Sequence, residues 1–166
     1  MLGLNFRFFF YIYPMINIRQ AKYKELETIV DFQMRMARET EGLELDKATL
    51  QKGVENVFTD FSRGIYYVAT ADGDEVVACL LTTPEWSDWR NGTIIWIQSV
   101  YVREDFRNKG IFRSMYKFIK QLVEEDNDLK GIRLYVEKTN LNAQKVYEAM
   151  GMGSDHYHFF EWMKAF

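Results

Sequence analysis

The stretch from residue 93 to residue 125 restricts the fold more than any other. A near-continuous apolar run, TIIWIQSVYV at 93–102, leads through the basic turn Arg107-Asn108-Lys109-Gly110 into a helical pattern at 110–125. Ile94, Ile95, Trp96, Ile97, Val100 and Val102 do not alternate with polar residues, so this strand needs cover on both faces and belongs at a sheet centre. Ile111, Met115, Phe118, Ile119, Leu122 and Val123 recur at helical spacing and give the following helix one apolar stripe. Past Gly131, IRLYVE at 132–137 reads as another strand. A strand-helix-strand crossover sets its two strands parallel.

The elements before this unit are of a different kind. IYYVATA, the turn Ala71-Asp72-Gly73-Asp74 and EVVACLLTT form a hairpin, because Asp-Gly supplies the positive φ angles of a tight connection. After Pro84 the loop EWSDWRNG ends in Asn91-Gly92, a second hairpin signal. Upstream, a short strand at 15–19 precedes a helix at 23–38 with Leu26, Ile29, Val30 and Ala37 on one face. Asp46 then caps a second helix, whose Leu50, Val54, Val57, Phe58 and Phe61 form a stripe and whose Gly53 weakens it slightly. Downstream, a helix at 142–150 bears Ala143, Val146, Tyr147 and Met150, and DHYHFFEWMK at 155–164 reads as a final strand. Antiparallel strands followed by a β-α-β-α-β tail predict an α/β protein, more specifically an α+β arrangement with a mixed sheet flanked by helices.

A strand that runs into a helix through a basic glycine turn has the geometry of an anion site. The first helical turn offers unpaired N–H groups and a partial positive charge. Gly110 permits close approach, Arg107, Lys109 and Arg113 add charge, and successive amides in the turn can form a nest. On its own, a basic loop of this kind is more often a solvated connection. Neither G-x-x-x-x-G-K-[ST] nor G-x-G-x-x-G occurs, so the phosphate carrier is not one read by those motifs.

In this segment the sequence resembles the GNAT family of N-acetyltransferases, whose motif V-x-x-x-x-[QR]-x-x-G-x-[GA] is matched by Val102, Arg107 and Gly110. Phe112 replaces the last small residue, and Asn108 stands where a second glycine is frequent. Downstream, Asn140, Ala143, Tyr147 and Gly151 match the family's N-x-x-A-x-x-x-Y-x-x-x-G. The resemblance implies the acyl-CoA N-acyltransferase fold and acetyl-CoA as acetyl donor. It implies that backbone groups of the Val100-Tyr101-Val102 strand hold the pantetheine arm. Amides of Asn108, Lys109, Gly110, Ile111, Phe112 and Arg113 then hold the pyrophosphate. Asn140, with Ala143 beside it, lies near the thiol end, and Tyr147 is the candidate general acid for the departing thiolate, a phenol with a transferable proton. Its alternative role is a packed aromatic on the helical face.

The family often places a Glu on the central strand where this chain has Gln98, which cannot act as a base but can orient a water or the substrate. Glu85 and Asp88, between Trp86 and Trp89, are the candidate acceptor wall for a cationic amine, and a solvated loop is the plain alternative for either acid. Glu39, Glu41 and Glu44 flank the acceptor cleft or form a solvated turn. The expected reaction is direct transfer to a small-molecule or peptide amine. The rival is a non-catalytic acyl-CoA-binding or regulatory domain, motivated by Asn108, Phe112 and Gln98.

Composition excludes other classes. The 166 residues are 48% hydrophobic, which suits one domain, here 15–166, with 1–14 as an N-terminal extension or as residues upstream of a start at Met15. With 21 basic against 24 acidic residues, no basic stripe points to nucleic acid. Asn5, Arg7 and Pro14 break the apolar start well short of the ~20 residues of a membrane span, and it lacks a signal peptide's flanks. Cys79, the single cysteine, sits in an apolar run as a structural thiol and suits a reducing cytoplasm. His156 and His158 would share one strand face, but without a third ligand no metal is expected. Phe159, Phe160 and Trp162 are expected in the core or on the sheet. Monomer and homodimer both remain open.

Overall fold

A computed structural model describes residues 15–164, and the expectations for 1–14 lie outside them. Five strands form one sheet in chain order. β1 (Asn17–Gln20), β2 (Ile65–Ala71), β3 (Glu75–Ser87) and β4 (Gly92–Val102) pair antiparallel, and β5 (Leu129–Arg133) joins β4 in parallel. The mixed sheet expected from the sequence is therefore present, with its apolar run, β4, between β3 and β5.

Among the described residues four α-helices accompany the sheet: α1 (Leu26–Glu41), α2 (Lys47–Thr59), α3 (Ile111–Glu125) and α4 (Leu141–Ala149). One face of the sheet packs Val68, Cys79 and Tyr101 against Ile29, Val30 and Phe32 of α1 and Val54 of α2. The other packs Ala69, Leu80 and Ile97 against Ile111, Met115 and Ile119 of α3. Cys79 is fully buried, and burial pushes its thiol up to about 12, so it is inert packing. Asp46 caps α2 by accepting from the Thr49 N–H at 2.8 Å, and Gly73 turns the β2–β3 hairpin at φ 77°.

Several local expectations need correction. EWS at 85–87 belongs to β3 rather than to a loop. Beyond Ile65↔Thr82, β3 has lost β2 as a neighbour, so Pro84, which lacks an N–H, is tolerated there. The fifth strand forms at Leu129–Arg133 instead of 132–137, because its ladder with β4 runs only from Thr93↔Leu129 to Trp96↔Arg133. The strand expected at 155–164 does not form: the segment has no ladder partner, Phe159, Phe160 and Trp162 are exposed, and His156 and His158 share no strand face. Phe61 lies past the end of α2 and is exposed as well.

Candidate active site

The site begins where β4 and β5 part. Their pairing ends at Trp96↔Arg133, so Ile97 to Val102 have a neighbour only on the β3 side. Backbone donors and acceptors of that half-strand thus face an open wedge, where an extended ligand can take up the vacant ladder positions. A bulge sharpens the wedge: between Cys79↔Tyr101 and Leu81↔Gln98, Ser99 and Val100 stand opposite Leu80 alone. Ser99 sits at φ 50°, a left-handed conformation unusual for a serine, and its carbonyl accepts from Gln33 Nε2 at 3.3 Å. Gln33 is a buried polar residue on the core stripe of α1, so the helix holds the bulge from behind.

β4 leads on to the anion loop. Asn108 (φ 60°) and Gly110 (φ 74°) are both left-handed and flank Lys109, which reverses the chain into α3. No side chain caps α3. Ser114 donates to the Gly110 carbonyl at 3.0 Å, which leaves the N–H groups of Ile111, Phe112 and Arg113 as the first-turn donors. Phe112 is turned inward: half-buried, it packs on the α3-side core and meets the Tyr147 ring edge-on at 5.6 Å. Its bulk therefore does not occupy the mouth of the loop, and its N–H still belongs to the donor set.

The basic side chains around the loop divide into held and free. Arg107 Nε donates to the Val102 carbonyl at 2.9 Å, its Nη2 donates to Glu39 Oε2 at 2.5 Å, and its guanidinium lies over the Tyr101 ring. Tyr101 in turn donates its hydroxyl to Glu39 Oε1 at 3.1 Å. Arg107 thus fastens the loop to α1 and to β4 and has little left to offer a ligand. Lys109 lies against the Phe106 ring, and Arg113 is exposed without an ion-pair partner among the described residues. Of the acids near the end of α1, Glu39 reaches the loop through Arg107 and Tyr101, whereas Glu44 is paired with Arg38.

α4 follows β5 and lies beside the start of α3, where Tyr147 meets Phe112. Asn140 caps α4 through Oδ1, which accepts from the Ala143 N–H at 3.1 Å, so only its amide nitrogen is left for a ligand. Tyr147 is half-buried, and burial raises its phenol above the ordinary tyrosine value, so it holds its proton at neutral pH. The Met152 N–H donates to its carbonyl at 3.1 Å, which closes the helix end through Gly151 at φ 85°.

On the α1 face of the sheet the acids are placed differently from one another. Cross-strand partners share a face, which puts Leu81, Thr83 and Glu85 with Ile94, Trp96 and Gln98, and Arg133 beside Trp96. Glu85 accepts from Arg133 Nη1 at 2.6 Å and from the Trp96 indole N–H, so its aromatic neighbour is Trp96 rather than Trp86 or Trp89, which are exposed. Asp88 lies beyond the last β3–β4 pair and accepts from the Trp89 N–H, away from the wedge. Gln98 donates to Thr83 Oγ1 at 2.5 Å and stands on the α1 face of the sheet. Sequence reading missed Gln33, Trp96, Ser99 and Arg133. Gln33 alone gave a signal, a polar residue on the apolar stripe of Leu26, Ile29, Val30 and Ala37.

A splayed central strand, an amide-lined loop entering a helix and a tyrosine on the neighbouring helix agree with the match of residues 26–152 to the acetyltransferase (GNAT) family. The chain belongs to the GNAT acetyltransferase family. A possible acetyltransferase from Clostridium difficile 630 shares 45% identity over 92% of this chain and 99% of its own, with a TM-score of 0.85. Two further structures share the fold. A ribosomal-protein-alanine N-acetyltransferase from Brucella melitensis biovar Abortus 2308 has 15% identity over 90% of this chain and all of its own, TM-score 0.73. An aminoglycoside N-acetyltransferase solved with CoA has 13% identity over 92% and 97%, TM-score 0.73. No curated protein matches. No helix of the described residues is long and apolar enough to cross a membrane.

Proposed function

We propose that this GNAT protein transfers an acetyl group from acetyl-CoA to the primary amine of a small molecule or peptide, by direct attack in a ternary complex. The observation that carries the reading is the continuous donor surface from the open half of β4 through the left-handed Asn108 and Gly110 to the uncapped start of α3. Such a surface fits an extended amide-bearing arm that ends in a pyrophosphate. Val100, Tyr101 and Val102 offer backbone only, since the Tyr101 side chain is buried on the α1 face.

In this reading the neutral amine attacks the thioester carbonyl from the α1 face, where Gln98 stands. The C–N bond forms, β4 N–H groups stabilise the oxyanion, and the C–S bond breaks as Tyr147 gives its proton to the thiolate sulfur. Holding both reactants in the wedge supplies the proximity. Glu85, tied to both Arg133 and Trp96, is not a free base, so the amine proton leaves through water that Gln98 orients. The lone thiol and the use of acetyl-CoA suit a cytoplasmic setting.

One observation favours the rival of a non-catalytic acyl-CoA-binding domain: among the described residues, the carboxylate on the same sheet face as Gln98, Glu85, is paired with Arg133. A calorimetric titration with acetyl-CoA, followed by a free-thiol assay over a broad amine panel, separates the two. Binding with amine-dependent thiol release supports transfer. Binding without release for any amine supports the rival, and no binding refutes both.

A further inference from the structure

Four non-glycine residues among the described ones have a left-handed backbone: Asp74, Asn91, Asn108 and Ser99. Asp and Asn tolerate that conformation, and those three stand in connections between elements. Ser99 is a different case. It lies inside β4, in the bulge opposite Leu80, and a strained backbone of this kind persists only where its surroundings hold it.

One buried side chain reaches it. Gln33 sits on the core stripe of α1, 4% exposed, with Ile29, Val30 and Ala37 one turn away. Its Nε2 donates to the Ser99 carbonyl at 3.3 Å and to Cys79 Sγ at 3.6 Å, so a single amide spans β3 and β4 at the bulge. A planar trans peptide points its C=O and N–H in opposite directions. With the Ser99 carbonyl drawn toward α1, the Val100 N–H of the same peptide is directed away from α1. An apolar residue would fill the stripe as its neighbours do, and a buried amide costs free energy unless it is hydrogen-bonded, so packing does not account for a glutamine in this place.

We infer that Gln33 is a positioning residue for acyl-CoA binding: its amide holds the Ser99–Val100 peptide in the orientation that presents the Val100 N–H to the cofactor arm. The inference rests on the proposed acyl-CoA site, and on its binding half alone, since a domain that binds without transfer needs Gln33 as much.

Calorimetric titration of the full chain with acetyl-CoA tests it. Gln33→Leu should weaken binding at least tenfold. Glycine takes the left-handed conformation freely, so in a Ser99→Gly background the bulge no longer depends on being held, and Gln33→Leu should cost less than threefold. Cys79→Ala, which disturbs the same core and leaves the Ser99 carbonyl contact in place, should bind as the wild type does. Affinity that follows melting temperature across these variants makes Gln33 core packing and overturns the inference. So does undiminished binding by Gln33→Leu, or a Ser99→Gly background that brings no relief. Should Gln33→Leu not fold, Gln33→Met, of nearly the same length and without a donor, replaces it with the same expectations. No binding by the wild type removes the acyl-CoA site and this inference with it, whereas binding without thiol release removes only the transfer reading.

Discussion

Two glycines with nearly identical geometry allow the loop's role to be separated from its stability. Gly110 sits at φ 74° in the anion loop and Gly73 at φ 77° in the β2–β3 hairpin, and a Cβ added at either meets no heavy atom within 4 Å. Alanine at either position therefore costs only the left-handed penalty, about 1–2 kcal/mol. For a chain of this size that lowers Tm by roughly 2–8 °C. The two differ in where the methyl group goes. At Gly110 it stands in the space through which the proposed pyrophosphate reaches the first-turn amides. Losing one charge-assisted hydrogen bond costs about 1.5–3 kcal/mol, or a tenfold to hundredfold rise in KM for acetyl-CoA. At Gly73 the space holds nothing. Gly110→Ala and Gly73→Ala should match in urea or thermal denaturation and diverge in acetyl-CoA dependence of thiol release. Equal KM values in the two variants would refute the assignment of the loop to the cofactor.

Tyr147→Phe should lower kcat by about 10²–10⁴ while KM for acetyl-CoA moves only a few-fold, as expected for a group that acts on the leaving thiolate. Since burial raises the Tyr147 phenol, its acid form persists through the ordinary tyrosine value, and wild-type kcat should show no basic limb below about pH 10; a limb near pH 8 contradicts the role. Glu39→Gln frees Arg107 from α1 and should raise KM for acetyl-CoA with kcat nearly unchanged, whereas a loss confined to kcat would show that Glu39 does not act through the loop. Arg19→Ala removes the guanidinium that grips Glu25 at 2.6 Å and should cost about 2–3 kcal/mol in denaturant titrations. Burial alone would push the Glu25 carboxyl up, but Arg19 and the Lys22 N–H outweigh it and hold it below its ordinary value. The pair's stabilisation is therefore complete above the unfolded glutamate value and fades as pH falls through the lower folded one, below about pH 4. Arg19→Ala should flatten that acid limb.

The parts of the fold that were legible are those with strong local codes. β4 announced itself by an apolar run too long for one exposed face, and α3 by its stripe and by Gly110. The two motifs put Arg107 and Gly110 in the loop that leads into α3, and Asn140 and Tyr147 at the cap and in the body of α4. What stayed hidden depends on pairing. Ser99 is an ordinary serine until Leu80 is found opposite two residues instead of one. Glu85 looked like a companion of Trp86 and Trp89 because they are neighbours in sequence, but strand alternation turns it toward Trp96 and Arg133. The aromatic content of 155–164 suggested a strand that does not form, because a strand exists only with a partner and none pairs with this segment among the described residues.

The central claim is that β4, the 107–113 loop and the start of α4 form an acyl-CoA site. Backbone amide NMR of the labelled protein titrated with acetyl-CoA tests it most directly. Shifts should concentrate at 99–102, at 108–113 and around Asn140 to Ala143, with Gly110 and Phe112 among the largest. Saturable binding that shifts the β2–β3 hairpin or α2 instead, and leaves 108–113 unmoved, would contradict it.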